Sequence, residues 1–346
     1  MSNASGQPGL IRSTAHRLAG DISVLPVEGS LAPFDGATGW LNSEPLTPDG
    51  LRGRILLVDF WTYTCVNWLR TLPYVRAWDA KYRDSGLTVV GVHTPEFGFE
   101  HDVENVMRET TKLGVDYPVA IDSDYGVWRA FDNHYWPAAY VADAEGRIRF
   151  HHFGEGEYEM TEIVIQQLLL EAGVKNLDRE LVTVDPRGLE VAADWRTVQS
   201  GETYTGYAQA TGFAQADVAR FDESDTYRAT ARLLLNQWSL TGAWTVTSTA
   251  AISNGPGGRL AFQFHARDLN LVMGPSPKGA SIPFRITLEG QPPGDAHGSD
   301  TDADGRGMLD AQGTYQLVRQ PGDIGDRRFE IAFTGPGAEA YCFTFG

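Results

Sequence analysis

The stretch ILLVDFWTYTCVNWLRTLP, residues 55–73, joins a strand to the start of a helix around one cysteine. Its first seven residues form a continuous apolar run, which is typical of a strand buried on both faces of a sheet. From Thr64 onward, apolar residues recur at helical spacing until Gly86, a residue type that commonly ends helices. The stretch therefore predicts that Cys65 lies where a buried strand passes into a helix.

Strand-like and helix-like segments continue to alternate through residues 20–173. LTVVGVHT is a second buried strand, DVENVMRETTKLG a second helix, and MTEIVIQQLLLEAG a closing amphipathic helix. YPVAID, AAYVAD and RIRFHHFG have the composition of further strands. Alternating strands and helices predict an α/β domain whose sheet is mostly parallel and carries helices on both faces.

The C-terminal half has a different pattern, and 346 residues are enough for two domains. After a polar linker predicted at residues 174–188, short alternating runs are separated by turns rich in Gly, Pro and Asp. This pattern predicts an all-β sandwich, such as a jelly roll, over residues 189–346. Residues 1–19 are predicted to be a disordered lead-in.

Charge and composition exclude several classes of function. A net charge of −17 disfavours nucleic acid and anionic membrane surfaces as partners, because both require a basic face. No apolar run approaches the ~20 residues that span a bilayer. The first residues lack the apolar core of a secretory signal, which leads us to expect a cytoplasmic protein, or an extracytoplasmic one if a signal has been removed. Two cysteines, Cys65 and Cys342, exclude a disulfide framework.

The predicted position of Cys65 favours reactivity. The N–H groups and the dipole at a helix N-terminus stabilise a thiolate, which is the form that attacks disulfides and peroxides. The alternative is that Cys65 is buried and packs as a small apolar residue, as free cysteines usually do.

The neighbours of Cys65 resemble those in the thioredoxin superfamily. Asp59 and Trp61 stand six and four residues before the cysteine, and Pro73 stands eight after it, as in thioredoxins. WPAAYVAD resembles the segment that carries the cis-proline facing the cysteine, which implies that Pro137 is cis. The resemblance implies an α/β thioredoxin-like fold, with a mixed central sheet and flanking helices.

Further runs resemble one subgroup of that superfamily. VVGVHTPEF, followed by a helix and YPVAID, is similar to the insertion of the TlpA/ResA-type redoxins, whose glutamate near the active cysteines is matched by Glu96. From residue 51 to 173, the runs WTYTC, GVHTPEF, FDNHYWPA and HHFGEGEY resemble DipZ-type proteins. That resemblance continues into the second domain and implies a fold like that of carbohydrate-binding modules.

The chain departs from these families at one position, because Trp68 stands where the resolving cysteine belongs. Three routes remain for one cysteine: a sulfenic acid reduced by an external thiol, a mixed disulfide with glutathione or a partner protein, or a relic site kept for binding. Thr62 gives the Thr-x-x-Cys spacing of peroxiredoxins, although Val58 replaces their proline. Resolution by Cys342 would require the two domains to dock at the site, and strand packing alone explains that residue.

We therefore predict an oxidoreductase that uses one cysteine for thiol–disulfide exchange or peroxide reduction. Its expected partners are an external thiol reductant of the glutathione or thioredoxin type and a protein disulfide or peroxide substrate; no cofactor or metal is expected. The alternative is a non-catalytic protein in which a degenerate thioredoxin fold and the β-sandwich bind a partner protein or a glycan.

The predicted catalytic residues are Cys65, Asp59 and Glu96. Asp59 would relay a proton, or be a buried carboxylate held by a hydrogen bond. Glu96 would shuttle protons, or be a solvated acid in a loop. Trp68 would cover the cysteine or form an apolar shelf within an aromatic groove. The predicted substrate-binding residues are Trp61, Thr62, Tyr63, Thr64, Asn67, Trp68, His134, Trp136 and Pro137.

Three other patterns are weaker. The histidines show no ligand spacing such as H-E-x-x-H, so no metal site is predicted. DTDADG, residues 300–305, starts like a calcium loop but has Ala311 at position 12, which favours an acidic turn. Sugar-stacking aromatics in the second domain would have the same pattern as buried core residues; the candidates are Trp195, Tyr204, Tyr207, Trp238, Trp244 and Tyr315.

Overall fold

The computed structural model describes residues 25–346, which belong to two compact units divided between Asp185 and Pro186. This division falls inside the stretch 174–188 that the sequence predicts as a linker. The predicted lead-in, residues 1–19, lies outside the described residues.

Among the described residues, seven strands form the sheet of the first unit, in the order β1-β7-β6-β3-β4-β5-β2. Only the β3–β4 and β4–β5 pairings are parallel. The mixed sheet implied by the thioredoxin resemblance is therefore present. The prediction of a mostly parallel sheet, made from the alternation of strands and helices, is wrong. The reason is that β6 and β7 are joined by a short turn, which permits only antiparallel pairing. The strands are β1 Gly29–Ser30, β2 Gly39–Leu41, β3 Ile55–Trp61, β4 Leu87–His93, β5 Val119–Ile121, β6 Ala138–Ala142 and β7 Arg147–Phe153.

Within residues 25–185, four helices flank this sheet: α1 Val66–Tyr82, α2 Val103–Lys112, α3 Gly126–Ala130 and α4 Tyr158–Glu171. Pro73 lies inside α1. Beyond α1 a 3-10 turn, Arg83–Ser85, ends at Gly86, whose φ of 111° is a left-handed conformation that favours glycine.

Strand β3 decides which side chains reach the site, because all seven of its residues are buried. Its even-numbered residues, Leu56, Val58 and Phe60, join a core cluster on one face of the sheet. Successive side chains of a strand point to opposite faces. Asp59 and Trp61 therefore face the other side, where the first turn of α1 begins.

The stretch that follows α4 is held on the first unit. The buried carboxylate of Glu162 accepts hydrogen bonds from Trp78 Nε1 at 3.2 Å and Tyr82 Oη at 2.6 Å. It also accepts from the backbone N–H of Val182, at 2.9 and 3.0 Å to its two oxygens. Most of the predicted linker therefore belongs structurally to the first unit.

The second unit is an eleven-stranded antiparallel sheet that curls around one core, which fits a β-sandwich. Strand β10 joins its two halves: residues 238–241 pair with β12, and residues 242–246 pair with β9 and β11. The strands are β8 Thr203–Tyr204, β9 Ser224–Tyr227, β10 Trp238–Val246, β11 Ala251–Ser253, β12 Arg259–His265, β13 Asp268–Pro275, β14 Ile282–Leu288, β15 Arg306–Leu309, β16 Gly313–Arg319, β17 Asp326–Phe333 and β18 Ala338–Phe345.

Three of the six aromatic residues considered for sugar stacking prove to be interior, and Tyr207 is exposed. Trp238, Trp244 and Tyr315 belong to the buried core, which is the alternative that the sequence left open. Trp195, by contrast, is 62% exposed.

The acidic stretch 300–305 forms a turn whose carboxylates face donors of the chain itself. Asp302 Oδ1 accepts from the backbone N–H of Arg306 at 2.8 Å, and Asp304 pairs with the Arg306 side chain at 2.6 Å. Asp300 accepts from the backbone N–H of Gln316 at 2.8 Å. Across residues 25–346, no group of three His, Cys, Asp or Glu side chains is placed to hold a metal ion, and no helix has the length and apolarity to cross a membrane.

Candidate functional site

Cys65 occupies the N-cap position of α1, directly after β3, with an extended backbone conformation (φ −70°, ψ 108°). Its N–H donates to the carbonyl of Thr62 at 3.2 Å, and its own carbonyl accepts from Leu69 N–H at 3.0 Å. The side chain is partly exposed, and its thiol donates to the carbonyl of Trp136 with an S–O distance of 3.8 Å. The Trp136–Pro137 peptide is cis, as predicted. The two segments that resemble thioredoxin therefore meet at the sulfur.

Trp68 points into the protein and neither covers the sulfur nor forms a shelf. It is fully buried, and its indole stacks on Trp61 with ring centroids 4.2 Å apart and planes inclined by 21°. Its Nε1 donates to Asp59 Oδ2 at 2.9 Å. A large ring whose polar N–H has a partner is well suited to burial, which corrects the prediction that Trp68 contacts substrate.

Asp59 is a buried carboxyl group beneath the first turn of α1. Burial raises its pKa from 3.8 to about 7, against the opposing effect of the Trp68 hydrogen bond. Its Oδ1 is buried and has no hydrogen-bond partner among the described residues. The carboxyl is held by a hydrogen bond, and its pKa lies in the range that proton relay near neutral pH requires.

The predicted aromatic groove is instead an interior cluster. Trp61 and Tyr63 are buried and pack against His93, with ring centroids 4.8 and 5.7 Å away. Burial lowers the pKa of His93 to about 3, so this imidazole is neutral. Of the predicted groove aromatics, Trp136 alone is partly exposed, and it packs against Trp128 at 4.3 Å.

A buried glutamate that the sequence reasoning missed connects the cysteine loop to the loop after β4. Glu100 is 1% exposed, and its Oε1 accepts from the hydroxyl and the N–H of Thr64 at 2.7 and 3.3 Å. Its Oε2 accepts from the N–H groups of Glu96 and Phe97 at 2.7 and 2.9 Å. Glu96, the predicted acid, is half-buried in that second loop. The only sequence signal for Glu100 is its spacing of four residues from Glu96.

The other predicted substrate-binding residues differ in their exposure to solvent. Thr62 and Thr64 are buried, whereas Asn67 is half-buried and its carbonyl accepts from the Thr71 hydroxyl at 3.0 Å. His134 is exposed, with its Nε2 3.4 Å from Asp132.

An ion pair links α1 to the segment after β7, and the sequence did not identify it. Arg70 NH1 lies 2.9 Å from Glu155 Oε1, and both side chains are mostly buried. Gly154, the residue before Glu155, donates its N–H to the carbonyl of Pro137 at 2.8 Å. The pair therefore fixes α1 against a segment that also holds the cis-proline.

Comparisons with known proteins find one matching family model and several relatives. A family model described as "Thioredoxin like C-terminal domain" matches residues 200–346. The chain is 38% identical over 252 residues to "Protein DipZ" of Mycobacterium tuberculosis (strain CDC 1551 / Oshkosh), covering 71% of this chain and 35% of that protein. It is 30% identical over 136 residues to "Thiol-disulfide oxidoreductase YkuV" of Bacillus subtilis (strain 168), covering 39% of this chain and 91% of that protein.

A solved structure, "Solution Structure of a Thioredoxin-like Protein in the Oxidized Form", is similar at 30% identity and a TM-score of 0.39, covering 42% of this chain and 99% of that one. The chain spans about a third of the length of the DipZ proteins that it matches, at 35%. The fold and the cysteine site define a thioredoxin-like protein. Within that class, the chain belongs to the thiol–disulfide oxidoreductase family of TlpA/ResA-type redoxins.

Proposed function

We propose that this protein is an oxidoreductase in which Cys65 alone carries out thiol–disulfide exchange, with an external thiol as reductant. The observation that carries the proposal is the contrast between positions 65 and 68. The Cys65 thiol is partly exposed at the start of α1 and faces the Trp136 carbonyl, whereas position 68 holds a buried indole. A nucleophile is therefore accessible in a chain that has no second thiol in the same turn.

The proposed cycle has two exchange steps. The Cys65 thiolate attacks one sulfur of a partner disulfide, forming a mixed disulfide and releasing the other partner sulfur as a thiolate. An external thiolate then attacks the partner's sulfur in that mixed disulfide, which releases Cys65 and leaves the partner joined to the external thiol. The protein is unchanged, and the incoming thiol replaces the outgoing one in the disulfide.

Thiol exchange is better supported than peroxide reduction. Thr62, which supplies the peroxiredoxin-like spacing, is fully buried, so its hydroxyl is not accessible to a peroxide in solvent. A relative of this chain, YkuV of Bacillus subtilis, is named as a thiol–disulfide oxidoreductase. The external reductant proposed is glutathione or a thioredoxin-type protein, and the substrate is a protein disulfide.

Asp59 and Glu96 are proposed to move the protons that exchange requires. A group with a pKa of about 7 is present in both protonation states near neutral pH, and Asp59 meets this condition beneath α1. For the second unit we propose the jelly-roll form of the β-sandwich, like that of carbohydrate-binding modules. Its support is the single core enclosed between the two halves of the antiparallel sheet.

The test is exposure of the full chain to oxidised glutathione, followed by mass spectrometry of the peptides. We expect one glutathione adduct at Cys65, none in Cys65→Ser, and an unchanged adduct in Cys342→Ser, because Cys342 is buried in the second unit. Reduced glutathione should then release Cys65. The rate of Cys65 alkylation against pH should have a midpoint below ~8.5, the value of an ordinary cysteine. A thiol that alkylates slowly at every pH and forms no adduct would refute this function.

A further inference from the structure

Glu100 is a buried carboxylate surrounded by four donors from two different loops. The hydroxyl and the N–H of Thr64 come from the loop before Cys65, and two further N–H groups come from Glu96 and Phe97 after β4. None of the four is a Lys or Arg side chain, and among the described ion pairs none involves Glu100. Its partners are therefore dipolar groups rather than cationic side chains.

A carboxylate in this position is costly unless its oxygens are satisfied. Burial raises the pKa of Glu100, and the hydrogen bonds from Thr64 and from the backbone N–H groups of Glu96 and Phe97 oppose that rise. Each carboxyl oxygen of Glu100 accepts from at least one backbone N–H group, which cannot accept in return, so an amide nitrogen in place of either oxygen would face a donor. The arrangement therefore requires the two oxygens of a carboxyl group.

The four hydrogen bonds of Glu100 connect the loop that precedes Cys65 with the loop that contains Glu96. Thr64 directly precedes Cys65, whose own N–H is bonded back to Thr62. On the other side, Glu100 holds the N–H of Glu96, the residue proposed to move a proton. One side chain thus fixes the loop that carries the thiol relative to the loop that carries the second acid.

We propose that Glu100 is a positioning residue that holds the thiol of Cys65 at the N-terminus of α1 by way of Thr64. The role deepens the proposed function, because a thiolate at this place gains from the helix only while the loop keeps its geometry. A hydrogen bond to a carboxylate is roughly twice as strong as one between two neutral groups, which suits it to fixing the position of a loop. Glu100 itself does not touch the substrate.

The test compares Glu100→Gln, Thr64→Val, their double variant and Thr64→Ser in the full chain. Thr64→Val removes the hydroxyl donor, keeps the shape of the side chain at position 64 and leaves Glu100 unchanged. Thr64→Ser keeps the hydroxyl. Glu104→Gln, an exposed change of the same charge four residues away, is the matched control. The readouts are the pH profile of Cys65 alkylation, measured on its own peptide, and the hydrogen exchange of the Thr64 and Glu96 amides.

We expect Glu100→Gln and Thr64→Val each to raise the midpoint of the profile and to slow alkylation near neutral pH by ~3- to 10-fold. The double variant should be no worse than the stronger single variant, because both act through one contact. Thr64→Ser and Glu104→Gln should stay within about twofold of the wild type. Faster exchange of both amides should accompany Glu100→Gln. Should this variant fail to fold, the Thr64→Val and Thr64→Ser pair decides the question.

Two outcomes would overturn the role. If Glu100 acted only as a nearby negative charge, Glu100→Gln would lower the midpoint and Thr64→Val would leave it unchanged. If its role were only structural, the variants would unfold at lower temperature with the same alkylation profile. The proposed function can fail separately. If the wild type forms no glutathione adduct while the Glu100 and Thr64 variants still change the alkylation profile, the exchange cycle is refuted and the positioning role remains.

Discussion

Replacing Asp59 by asparagine should stabilise the first unit, and the gain should grow with pH. Burial raises the pKa of this carboxyl from 3.8 to about 7, so the folded protein keeps a proton that the unfolded chain releases between these values. Stability from this group is therefore complete below the unfolded value and is lost as the pH rises to about 7. Asparagine stays neutral, and its amide oxygen can still accept from Trp68 Nε1.

The magnitude follows from the interval between the two pKa values. A shift from 3.8 to about 7 corresponds to roughly 4 kcal/mol of unfolding free energy. Asp59→Asn should thus resemble the wild type near pH 4 and exceed it by roughly 4 kcal/mol near pH 8, less any weakening of the Trp68 contact. The group is fully buried, so solvent screening removes little of this difference.

The assay must report the first unit alone. Samples equilibrated in urea at about pH 5 or about pH 8 would receive a brief deuterium pulse at one common pH, read by mass spectrometry on the peptide containing β3. Alkylation of Cys342, buried in the second unit, serves as the internal control and should respond equally in both proteins. A difference between variant and wild type that stays constant with pH would refute the reasoning.

Three further changes test the packing around the site, each by urea unfolding of the first unit. Trp68→Phe removes the indole N–H that lowers the pKa of the Asp59 carboxyl, so it should destabilise the first unit by ~2 kcal/mol. The loss should be larger at pH 8 than at pH 5, and an equal loss at both pH values would contradict this explanation. Glu155→Gln removes the carboxylate charge that faces the mostly buried guanidinium of Arg70 and should cost about 3 kcal/mol; a neutral result would show the pair to be solvated. Gly91→Ala places a Cβ 2.8 Å from a buried indole nitrogen and should cost ~1–3 kcal/mol, whereas Gly98→Ala, with nothing within 4 Å, should cost less.

The strand–helix junction was predictable because its signals are local. The apolar run of β3 and the spacing of Asp59 and Pro73 around Cys65 involve residues close in sequence, and the cis state of Pro137 followed from a short motif. Each is decided by residue type and order.

The direction of the aromatic side chains was not predictable in the same way. Register pairs Asp59 with Gly91 on β4, and a Cβ at Gly91 would lie 2.8 Å from Trp61 Nε1. The missing side chain on a neighbouring strand therefore makes room for Trp61 and Trp68 to stack inside. That space depends on a pairing 32 positions apart in the chain, which residue type alone does not reveal.

The role of Glu100 was not predictable for a similar reason. Glu96 matches a family position, whereas Glu100 has no such signal and is directed inward to the cysteine loop by the 3-10 turn Gly98–His101. Only the three-dimensional path of that turn distinguishes the two acids. The antiparallel hairpin of β6 and β7 was missed for a simpler reason, since alternation of elements carries no information on strand direction.

The inward indole of Trp68 makes a cysteine at position 68 difficult to introduce by a single substitution. A cysteine restored at position 68 would regain the sulfur but empty the space now filled by a ring stacked on Trp61, and it would remove the donor to Asp59. Large-to-small changes of this kind cost ~3–5 kcal/mol, a large share of a domain's stability. A dithiol in this turn would therefore require further substitutions that refill the interior, so the residue at position 68 is constrained by the packing of the first unit.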